Sequence, residues 1–126
     1  MIKGTHLIMD LEVAPIDKNY LDEIANIFFT TKESIIEDFT NMKIVHKHLH
    51  IFNNISISPL GWTSVLLLDA SHFSSHCYSD KGLIALDIFT CGDTDTNKVL
   101  THFIEIIERE IFGVVKIKKF IINSRF

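Results

Sequence analysis

The sequence predicts one α+β domain, built as an antiparallel sheet with helices on one of its faces. The chain has 126 residues, the length of one ordinary domain, and 47% of them are hydrophobic, enough to fill one core. Apolar segments of strand length recur between turn residues, and two regions have helical periodicity. The resulting order of strand, helix, four strands, helix and strand is typical of the α+β class.

The N-terminal region is predicted to form a strand and then a helix. Residues 5–13 alternate apolar and polar side chains up to Pro15, which predicts a strand that ends there. Residues 17–29 are ambiguous, because apolar side chains at helical spacing are interrupted by a phenylalanine and two threonines. Thr31 is a suitable N-cap, which favours a helix over residues 31–41. The two segments could also form one broken helix.

Two more strands are predicted in the middle of the chain. Residues 43–52 alternate with period two, and residues 62–68 are an apolar run of strand length. One face of the first of these strands carries Ile44, His46, His48, His50 and Phe52. Its side chains lie about 6.6 Å apart, so the imidazoles could offer ligands to a metal ion. No acidic or cysteine partner accompanies them in the sequence, and we predict an ordinary strand face without a metal.

The C-terminal half is predicted to contain a hairpin, a helix and a last strand. Segment 71–92 has a turn signal at residues 79–82, followed by the apolar strand 83–89. The sequence DTDTN then supplies an N-cap for a helix, which Gly113 ends. Residues 114–122 form the last strand. The apolar face of the helix consists of Leu100, Phe103, Ile104, Ile107 and Ile111.

Strand 83–89 also indicates how protomers assemble. Apart from Asp87 it is apolar at both alternating sets of positions, so both faces of the sheet need cover. Helices can cover one face, and the sheet of a second protomer can cover the other. We therefore predict a homodimer in which two sheets pack face to face with the helices outside, an α/β/β/α sandwich.

Composition argues against several other classes of protein. The formal net charge is −4 and basic residues cluster only at 116–119, which argues against nucleic-acid binding. Nowhere do about twenty apolar residues run together, and the first residues lack the pattern of a signal peptide. We expect a cytoplasmic protein that binds neither nucleic acid nor membrane. Cys77 and Cys91 are too few for a disulfide framework and are predicted to be thiols.

Segment 71–92 concentrates the reactive side chains, and their types allow three interpretations. A serine or cysteine nucleophile with a histidine base is the first, although the sequence lacks the Gly-x-Ser-x-Gly elbow. A metal site is the second, although the spacings match no common zinc pattern. A polar strand with two core cysteines is the third. The ligands of the second interpretation would be His72, His76, Cys77 and Cys91.

The order of residues in this segment is more informative than their types. Ser71-His72 follows an apolar strand, and His76 lies five residues after the serine. Asp80 comes next, and the run DIFTCG then places Cys91 twenty residues after the serine. This pattern resembles the S-adenosylmethionine decarboxylase family in its short prokaryotic form.

The resemblance covers nearly the whole chain. His6-Leu7 in the first strand, Pro59-x-Gly61 before the third, and the final helix and strand are similar to family features. Two positions depart from the family pattern. Ala70 stands where the family usually has glutamate, and the sequence SHCYSD stands where Ile-His-Thr-Trp-Pro-Glu is common.

The resemblance implies a proenzyme that cleaves itself. In this family a serine hydroxyl attacks the preceding carbonyl, the peptide bond becomes an ester, and β-elimination converts the serine into a pyruvoyl group. Carried over, Ala70-Ser71 is the cleaved bond, and the cofactor is a pyruvoyl group derived from Ser71. His76 matches the histidine that takes the Cα proton. Thr63 or Ser64 matches the serine that steadies the tetrahedral intermediate, and the gapless count favours Thr63.

The resemblance also implies the reaction of the cleaved protein. The pyruvoyl ketone would take up the amine of S-adenosylmethionine and serve as electron sink for the loss of carbon dioxide, giving the aminopropyl donor for spermidine synthesis. Cys91 matches the proton donor, and an ordinary thiol with a pKa of about 8.5 is mostly protonated at neutral pH. Asp80 matches the residue that binds the ribose hydroxyls. Phe52 would stack on the adenine if one insertion follows it, whereas Ile57 stands at the gapless position.

Two alternatives are open at the level of the sequence. A divergent member could decarboxylate another amino acid, such as ornithine or arginine. The chain could also be an unprocessed, non-catalytic homologue that serves as a dimerisation or partner subunit. The presence of Ser71, His76 and Cys91 together favours an enzyme, whereas the alanine at position 70 favours the second alternative.

Overall fold

The computed structural model describes residues 3–126, in which six antiparallel strands form one sheet and two helices pack on one side of it. The strands are β1 Gly4–Glu12, β2 Ile44–Phe52, β3 Gly61–Leu68, β4 Ser71–Tyr78, β5 Leu83–Cys91 and β6 Lys116–Arg125. The helices are α1 Leu21–Phe39 and α2 Thr96–Ile107. The strand order is β2-β3-β4-β5-β1-β6, so β1 lies between β5 and β6. The predicted α+β class, with helices on one face of an antiparallel sheet, is confirmed.

Helix α1 is continuous, and the predicted start at Thr31 is wrong. The helix begins at Leu21, after a 3-10 turn in which the Asp17 carboxylate accepts the Asn19 N–H at 2.8 Å. Thr31 lies within the helix and donates its hydroxyl to the Ile27 carbonyl at 2.7 Å. One apolar stripe runs along the whole helix, and its burial overrides the local threonine signal. Its buried apolar members are Leu21, Ala25, Phe28, Phe29, Ile35 and Ile36.

The core lies between the helices and one face of the sheet. Side chains at alternate positions of the central strands point into it, as the period-two patterns predict. Phe28 of α1 packs on Trp62 and on Phe103, with ring centroids 5.3 Å apart in both pairs. The predicted N-cap of α2 is Asp95, whose carboxylate accepts the Lys98 N–H at 3.0 Å.

The opposite face of the sheet, which we call the open face, is not covered by either helix. The three histidines of β2 lie on it as predicted, opposite Thr63, Val65 and Leu67 of β3. Ile44 does not share this face, contrary to the prediction. A bulge at Val45 places Ile44 opposite Leu68 instead, where it packs against the core.

The last strand is longer than predicted. A π-helical turn and Gly113, at φ 74°, end α2, and β6 then runs past Ile122 to Arg125. Pairing with β1 extends along β6 as far as Arg125. The ladder hydrogen bonds therefore keep the polar residues 123–125 in the strand, although they lack the apolar pattern that predicts one. Neither helix of the described chain is both long enough and apolar enough to span a membrane.

Candidate active site

The link between β3 and β4 is a strained two-residue turn at the predicted cleavage position. Asp69 and Ala70 form this turn, because Leu68 pairs directly with Ser71. Ala70 has a φ of 57°, in the left-handed region that costs a residue with a Cβ roughly 1–2 kcal/mol. The Asp69 N–H donates to the Lys43 carbonyl at 3.1 Å, and the Asp69 carboxylate accepts the Lys43 N–H at 3.0 Å. These bonds hold the turn in place. The strained residue is Ala70, whose carbonyl directly precedes Ser71.

Ser71 and Cys91 come together at the same end of the sheet. Ser71 is only 8% exposed, with its side chain on the helix side of β4. Its Oγ accepts the backbone N–H of Cys91, the last residue of β5, at 3.0 Å. The partly exposed Cys91 thiol donates to the Asp69 carbonyl at 3.8 Å. Asp69, Ala70, Ser71 and Cys91 thus form one cluster, which we call the cleavage end.

His76 and Thr63 form a second pair, farther along β4. They are opposite each other in the β3–β4 ladder, and His76 Nδ1 lies 3.0 Å from Thr63 Oγ1. Both side chains lie on the open face, whereas Ser71 points to the helix side. Five residues of strand separate His76 from Ser71, a distance of roughly 16 Å. Within one chain, the structure therefore does not bring His76 to Ser71.

A groove of about 220 Å³ lies beside this pair. Phe52 lines the groove together with Thr63 and His76, so the aromatic residue predicted to stack on adenine is next to the predicted histidine. Asp80 is exposed in the turn after β4, at the same end of the sheet. Ile57, the gapless alternative, is 80% exposed in the loop before β3. We call Phe52, Thr63, His76 and Asp80 the histidine end.

Cys77 belongs to the core. It is 4% exposed on the helix side of β4, and burial, together with the charge of Asp80, raises the pKa of the Cys77 thiol to about 12. A thiol that stays protonated is a poor nucleophile and a poor metal ligand. The four residues considered as metal ligands lie on two faces and at two ends of the hairpin, so they are not assembled into a site. These residues are His72, His76, Cys77 and Cys91.

A cluster on the open face was not predicted. Asp87 Oδ1 lies 2.8 Å from His6 Nε2 and 2.9 Å from His72 Nε2. All three residues are partly buried, and their ligand atoms lie within 4.8 Å of one another. Burial raises the pKa of Asp87, but the hydrogen bonds and charges of His72 and His6 outweigh it, so that pKa lies below its usual range. The signal in the sequence was the single carboxylate within the apolar strand 83–89.

Lys32 is a buried lysine beneath the histidine end. It lies in α1 with no exposed surface, and its Nζ donates to Ser64 Oγ at 2.9 Å and to Ser75 Oγ at 3.2 Å. Ser64 and Ser75 form the ladder pair next to Thr63 and His76, on the opposite face of the sheet. Burial lowers the pKa of Lys32 to about 7. The signal in the sequence was that Lys32 falls within the apolar stripe of α1. That stripe is visible only when residues 21–39 are taken as one continuous helix.

The fold and the cleavage end together define a class, the α+β proteins whose sheet carries a serine directly after a strained turn. In that arrangement the serine directly follows the carbonyl that its hydroxyl would attack in self-processing. The family model described as S-adenosylmethionine decarboxylase matches residues 5–119. The chain belongs to the S-adenosylmethionine decarboxylase family.

Individual relatives and a solved structure agree with this assignment. The S-adenosylmethionine decarboxylase proenzyme of Thermodesulfovibrio yellowstonii is 30% identical over 125 residues, covering 97% of this chain and 84% of that protein. The proenzyme of Methanococcus aeolicus is 32% identical over 120 residues, 92% of each chain. The crystal structure of the adenosylmethionine decarboxylase from Aquifex aeolicus matches the fold with a TM-score of 0.63 at 24% identity, covering 97% of this chain and 88% of that chain. The predicted resemblance is confirmed.

Proposed function

We propose that this chain is the proenzyme of a pyruvoyl-dependent S-adenosylmethionine decarboxylase that cleaves itself between Ala70 and Ser71. The observation that carries the proposal is the strained Ala70 directly before a serine whose hydroxyl is held in place, in a chain of this family. The relatives are named for S-adenosylmethionine, which favours this substrate over ornithine or arginine. The product is the aminopropyl donor of polyamine biosynthesis.

Self-cleavage uses the turn at the cleavage end. Ser71 Oγ attacks the Ala70 carbonyl carbon, the C–N bond between the two residues breaks, and the hydroxyl proton passes to the released nitrogen of Ser71. Loss of the Ser71 Cα proton then expels the Ala70 carboxylate, and hydrolysis of the resulting dehydroalanine releases ammonia and leaves the pyruvoyl group. The Cys91 N–H keeps the hydroxyl beside its own backbone. Release of Ala70 from the left-handed region favours the first step.

The cleavage end also suits the reaction that follows. A pyruvoyl group at residue 71 supplies a ketone for the substrate amine and an electron sink for the loss of carbon dioxide. Residue 71 begins the strand beside Cys91, whose backbone already contacts the Ser71 side chain. The Cys91 thiol lies 3.8 Å from the Asp69 carbonyl, which can accept its S–H. A protonated thiol beside residue 71 can return a proton to the carbon that loses its carboxylate.

The histidine end completes the site across a homodimer. The family resemblance assigns His76 the removal of the Ser71 Cα proton, but the two residues are too far apart within one chain. The open face exposes apolar side chains of the kind that a second sheet covers, such as Leu67 at 45% and Ile121 at 38%. Sheet-to-sheet packing about a two-fold axis that runs between the two ends would set the histidine end of one protomer over the cleavage end of the other. His76 and Thr63 would then act on the partner's Ser71.

The substrate would lie between the same two ends. Phe52 lines the groove and can stack on the adenine, while Asp80 is exposed at the same end and can accept the ribose hydroxyls. The amino-acid part of the substrate then reaches residue 71 of the other protomer. Cys77 and Cys91 are free thiols, which suits work in the reducing cytoplasm.

Intact mass and a denaturing gel of the purified protein test the self-cleavage. We expect two chains, residues 1–70 and residues 71–126, with a pyruvoyl group blocking the second, because the strained turn favours attack by Ser71. Ser71→Ala should give a single uncut chain. Release of labelled carbon dioxide is expected from S-adenosylmethionine and not from ornithine or arginine. A wild-type chain that stays uncut would overturn the proposal and favour the unprocessed homologue.

Cys91→Ala is the matched control at the same end. It should be cleaved nearly like the wild type, because the hydrogen bond to Ser71 comes from the backbone N–H, which alanine keeps, and only the long thiol contact to the Asp69 carbonyl is lost. Decarboxylation should fall by about 100-fold or more, the usual contribution of a positioned proton donor. Equal turnover by the variant would refute its assignment as proton donor.

A further inference from the structure

The cluster of His6, Asp87 and His72 takes no part in the steps described so far. Asp87 belongs to β5 and accepts one hydrogen bond from a histidine on each neighbouring strand. In the ladders it stands opposite Ile8 of β1 and Ser74 of β4, so both bonds run diagonally to the next pairs. One carboxylate oxygen therefore joins three strands on the open face.

The two imidazoles have their directions set by this carboxylate. Phe89 stands opposite both histidines in the ladders, with its ring centroid 6.4 Å from that of His6 and 6.3 Å from that of His72. The low pKa of Asp87 keeps it ionised at neutral pH. An ionised carboxylate can only accept hydrogen bonds, so both histidines carry hydrogen on Nε2 and donate it to Asp87.

His72 directly follows Ser71, and this places the cluster next to the bond to be cleaved. The first two residues of β4 are held to β5 through side chains on both faces of the sheet. Ser71 Oγ accepts the Cys91 N–H from the helix side, and His72 donates to Asp87 on the open face. The ladder with β3 reaches Ser71, whereas the ladder with β5 begins only at His72, so the two side-chain contacts add a restraint from the β5 side at the first residues of the strand. That restraint sets the direction of the Ser71 hydroxyl.

We propose that Asp87 is a positioning residue for self-cleavage, which acts through His72 to hold Ser71 in the orientation for attack on the Ala70 carbonyl. The inference rests on the self-cleavage proposed above. Asp87 touches none of the reacting atoms, so it raises the population of the attack geometry and transfers no proton. Its loss slows formation of the ester, whereas loss of His76 blocks the elimination that follows.

Timed cleavage of newly synthesised protein tests this inference with Asp87→Asn, His72→Ala and the double variant. We expect each single variant to cleave at least about tenfold more slowly, and the double variant to be no slower than the slower single one, because both act through one contact. Multiplied effects in the double variant would overturn the inference. The inference would also be overturned if the wild type cleaves and the Asp87→Asn variant cleaves at the same rate. An uncut wild type would instead contradict the proposed function.

Two further measurements separate positioning from other roles. Hydroxylamine cleaves esters, so it should release fragments from uncut His76→Ala protein and none from uncut Asp87→Asn protein. Ester accumulation in the Asp87 variant would place its effect after the first step and refute the inference. Cleavage should also be insensitive to EDTA. A rate that falls on chelation would assign the cluster to a metal ion instead.

Asp10→Asn is the matched control for the Asp87 substitution. Asp10 is another carboxylate on the open face, opposite Ala85 in the β1–β5 ladder. We expect it to cleave at the wild-type rate. In a Ser71→Ala background, the Asp87→Asn chain should unfold at a somewhat lower denaturant concentration than the Asp10→Asn chain, because it loses the ionised acceptor of two hydrogen bonds, yet both should be fully folded under the conditions in which cleavage is timed. An Asp87→Asn chain that is partly unfolded under those conditions would ascribe the slow cleavage to stability and overturn the inference.

Discussion

The cleavage end and the histidine end belong to the same pair of strands, yet they are held in different ways. At the cleavage end, Ala70 is strained at φ 57° between two paired strands, and bonds from Lys43 and Cys91 fix the residues around it. At the histidine end, His76 and Thr63 bond to each other beside an open groove. The end that carries the proposed cleavage bond is held by several hydrogen bonds, whereas the end that carries the proposed proton acceptor faces an open groove.

This difference separates the two steps of the proposed processing. Ester formation needs only the turn, the serine and the contacts that hold them, all of which one chain supplies. Elimination needs a base near the Ser71 Cα, and one chain does not place His76 there. In the proposed mechanism, folding of a protomer prepares the first step, whereas assembly of two protomers would complete the second.

Mixed dimers test this separation with an all-or-none effect. Ser71→Ala and His76→Ala chains should each fail to cleave when expressed alone. When they are expressed together, a mixed dimer pairs the Ser71 of the His76→Ala chain with the His76 of the other chain. We therefore expect the His76→Ala chain to be cut, which a size tag on one chain reveals on a denaturing gel.

The control for this experiment keeps the dimer but removes His76 from both of its chains. Expression of His76→Ala with a chain that carries both substitutions should leave every chain uncut. If the first mixture also stays uncut although mixed dimers form, the site does not cross the dimer.

The next largest expected effect is the pH dependence of the free energy of unfolding, which comes from Lys32 beneath the histidine end. Its folded pKa of about 7 is below its unfolded value, so the unfolded chain binds more protons between the two pKa values. Stability therefore rises with pH in that window, at most by about 1.4 kcal/mol per pH unit. In Ser71→Ala protein at fixed concentration, we expect a gain of about 1.5 kcal/mol from pH 7 to 8.5, measured by denaturant unfolding.

Lys32→Met identifies the source of that slope. The variant should be more stable at pH 7 and lack the gain, because methionine needs no desolvation and the 2.6 Å bond between Ser64 and Ser75 can persist. Lys98→Met, on the exposed side of α2, should keep the gain. Cys77 acts in the opposite sense at higher pH, since its thiol ionises first in the unfolded chain, so the window stops at 8.5. If the free energy of unfolding of the Ser71→Ala protein does not change between pH 7 and 8.5, the lowered pKa of Lys32 is contradicted.

Ala70→Gly gives the smallest effect and tests the strain at the cleavage end. Glycine adopts a positive φ without cost, but it also gives the unfolded chain more freedom. We expect the uncut protein to gain about 0.5–1 kcal/mol in a Ser71→Ala background. Cleavage of the Ala70→Gly chain with its serine intact should be roughly two- to fivefold slower, because less strain is released in the first step.

The comparison for this substitution is Ala14→Gly. Ala14 does not have a positive φ, so the change should lower stability slightly and leave the rate of cleavage unchanged. An Ala70→Gly chain that cleaves as fast as the wild type would show that the strain does not drive the reaction.

Most of the fold could be predicted because alternation and helical spacing are local properties of the sequence. The start of α1 could not, since the threonine cap is a local signal and burial of the stripe against the sheet is not. The bulge at Val45 and the length of β6 depend on pairing with strands far away in the sequence. Such features appear only when the sheet is assembled.

The same distinction applies to the candidate site. Ser71 and Cys91 could be paired from the sequence, because a hairpin returns the end of β5 to the start of β4. His76 appeared close to Ser71 because five residues is a short separation, although strand alternation sends their side chains to opposite faces. The bond between His6 and Asp87 could not be foreseen, since it depends on β1 lying beside β5.

The position of β1 has a consequence for the cleaved protein. A cut after Ala70 assigns β1, β2 and β3 to one chain and β4, β5 and β6 to the other, with β1 inserted between two strands of the second chain. Three ladders cross the cut, and they hold the chains together without a covalent bond. Once unfolded, however, the two chains must meet by diffusion. The proposed processing would thus convert a unimolecular folding reaction into an association, so recovery from denaturation would depend on protein concentration.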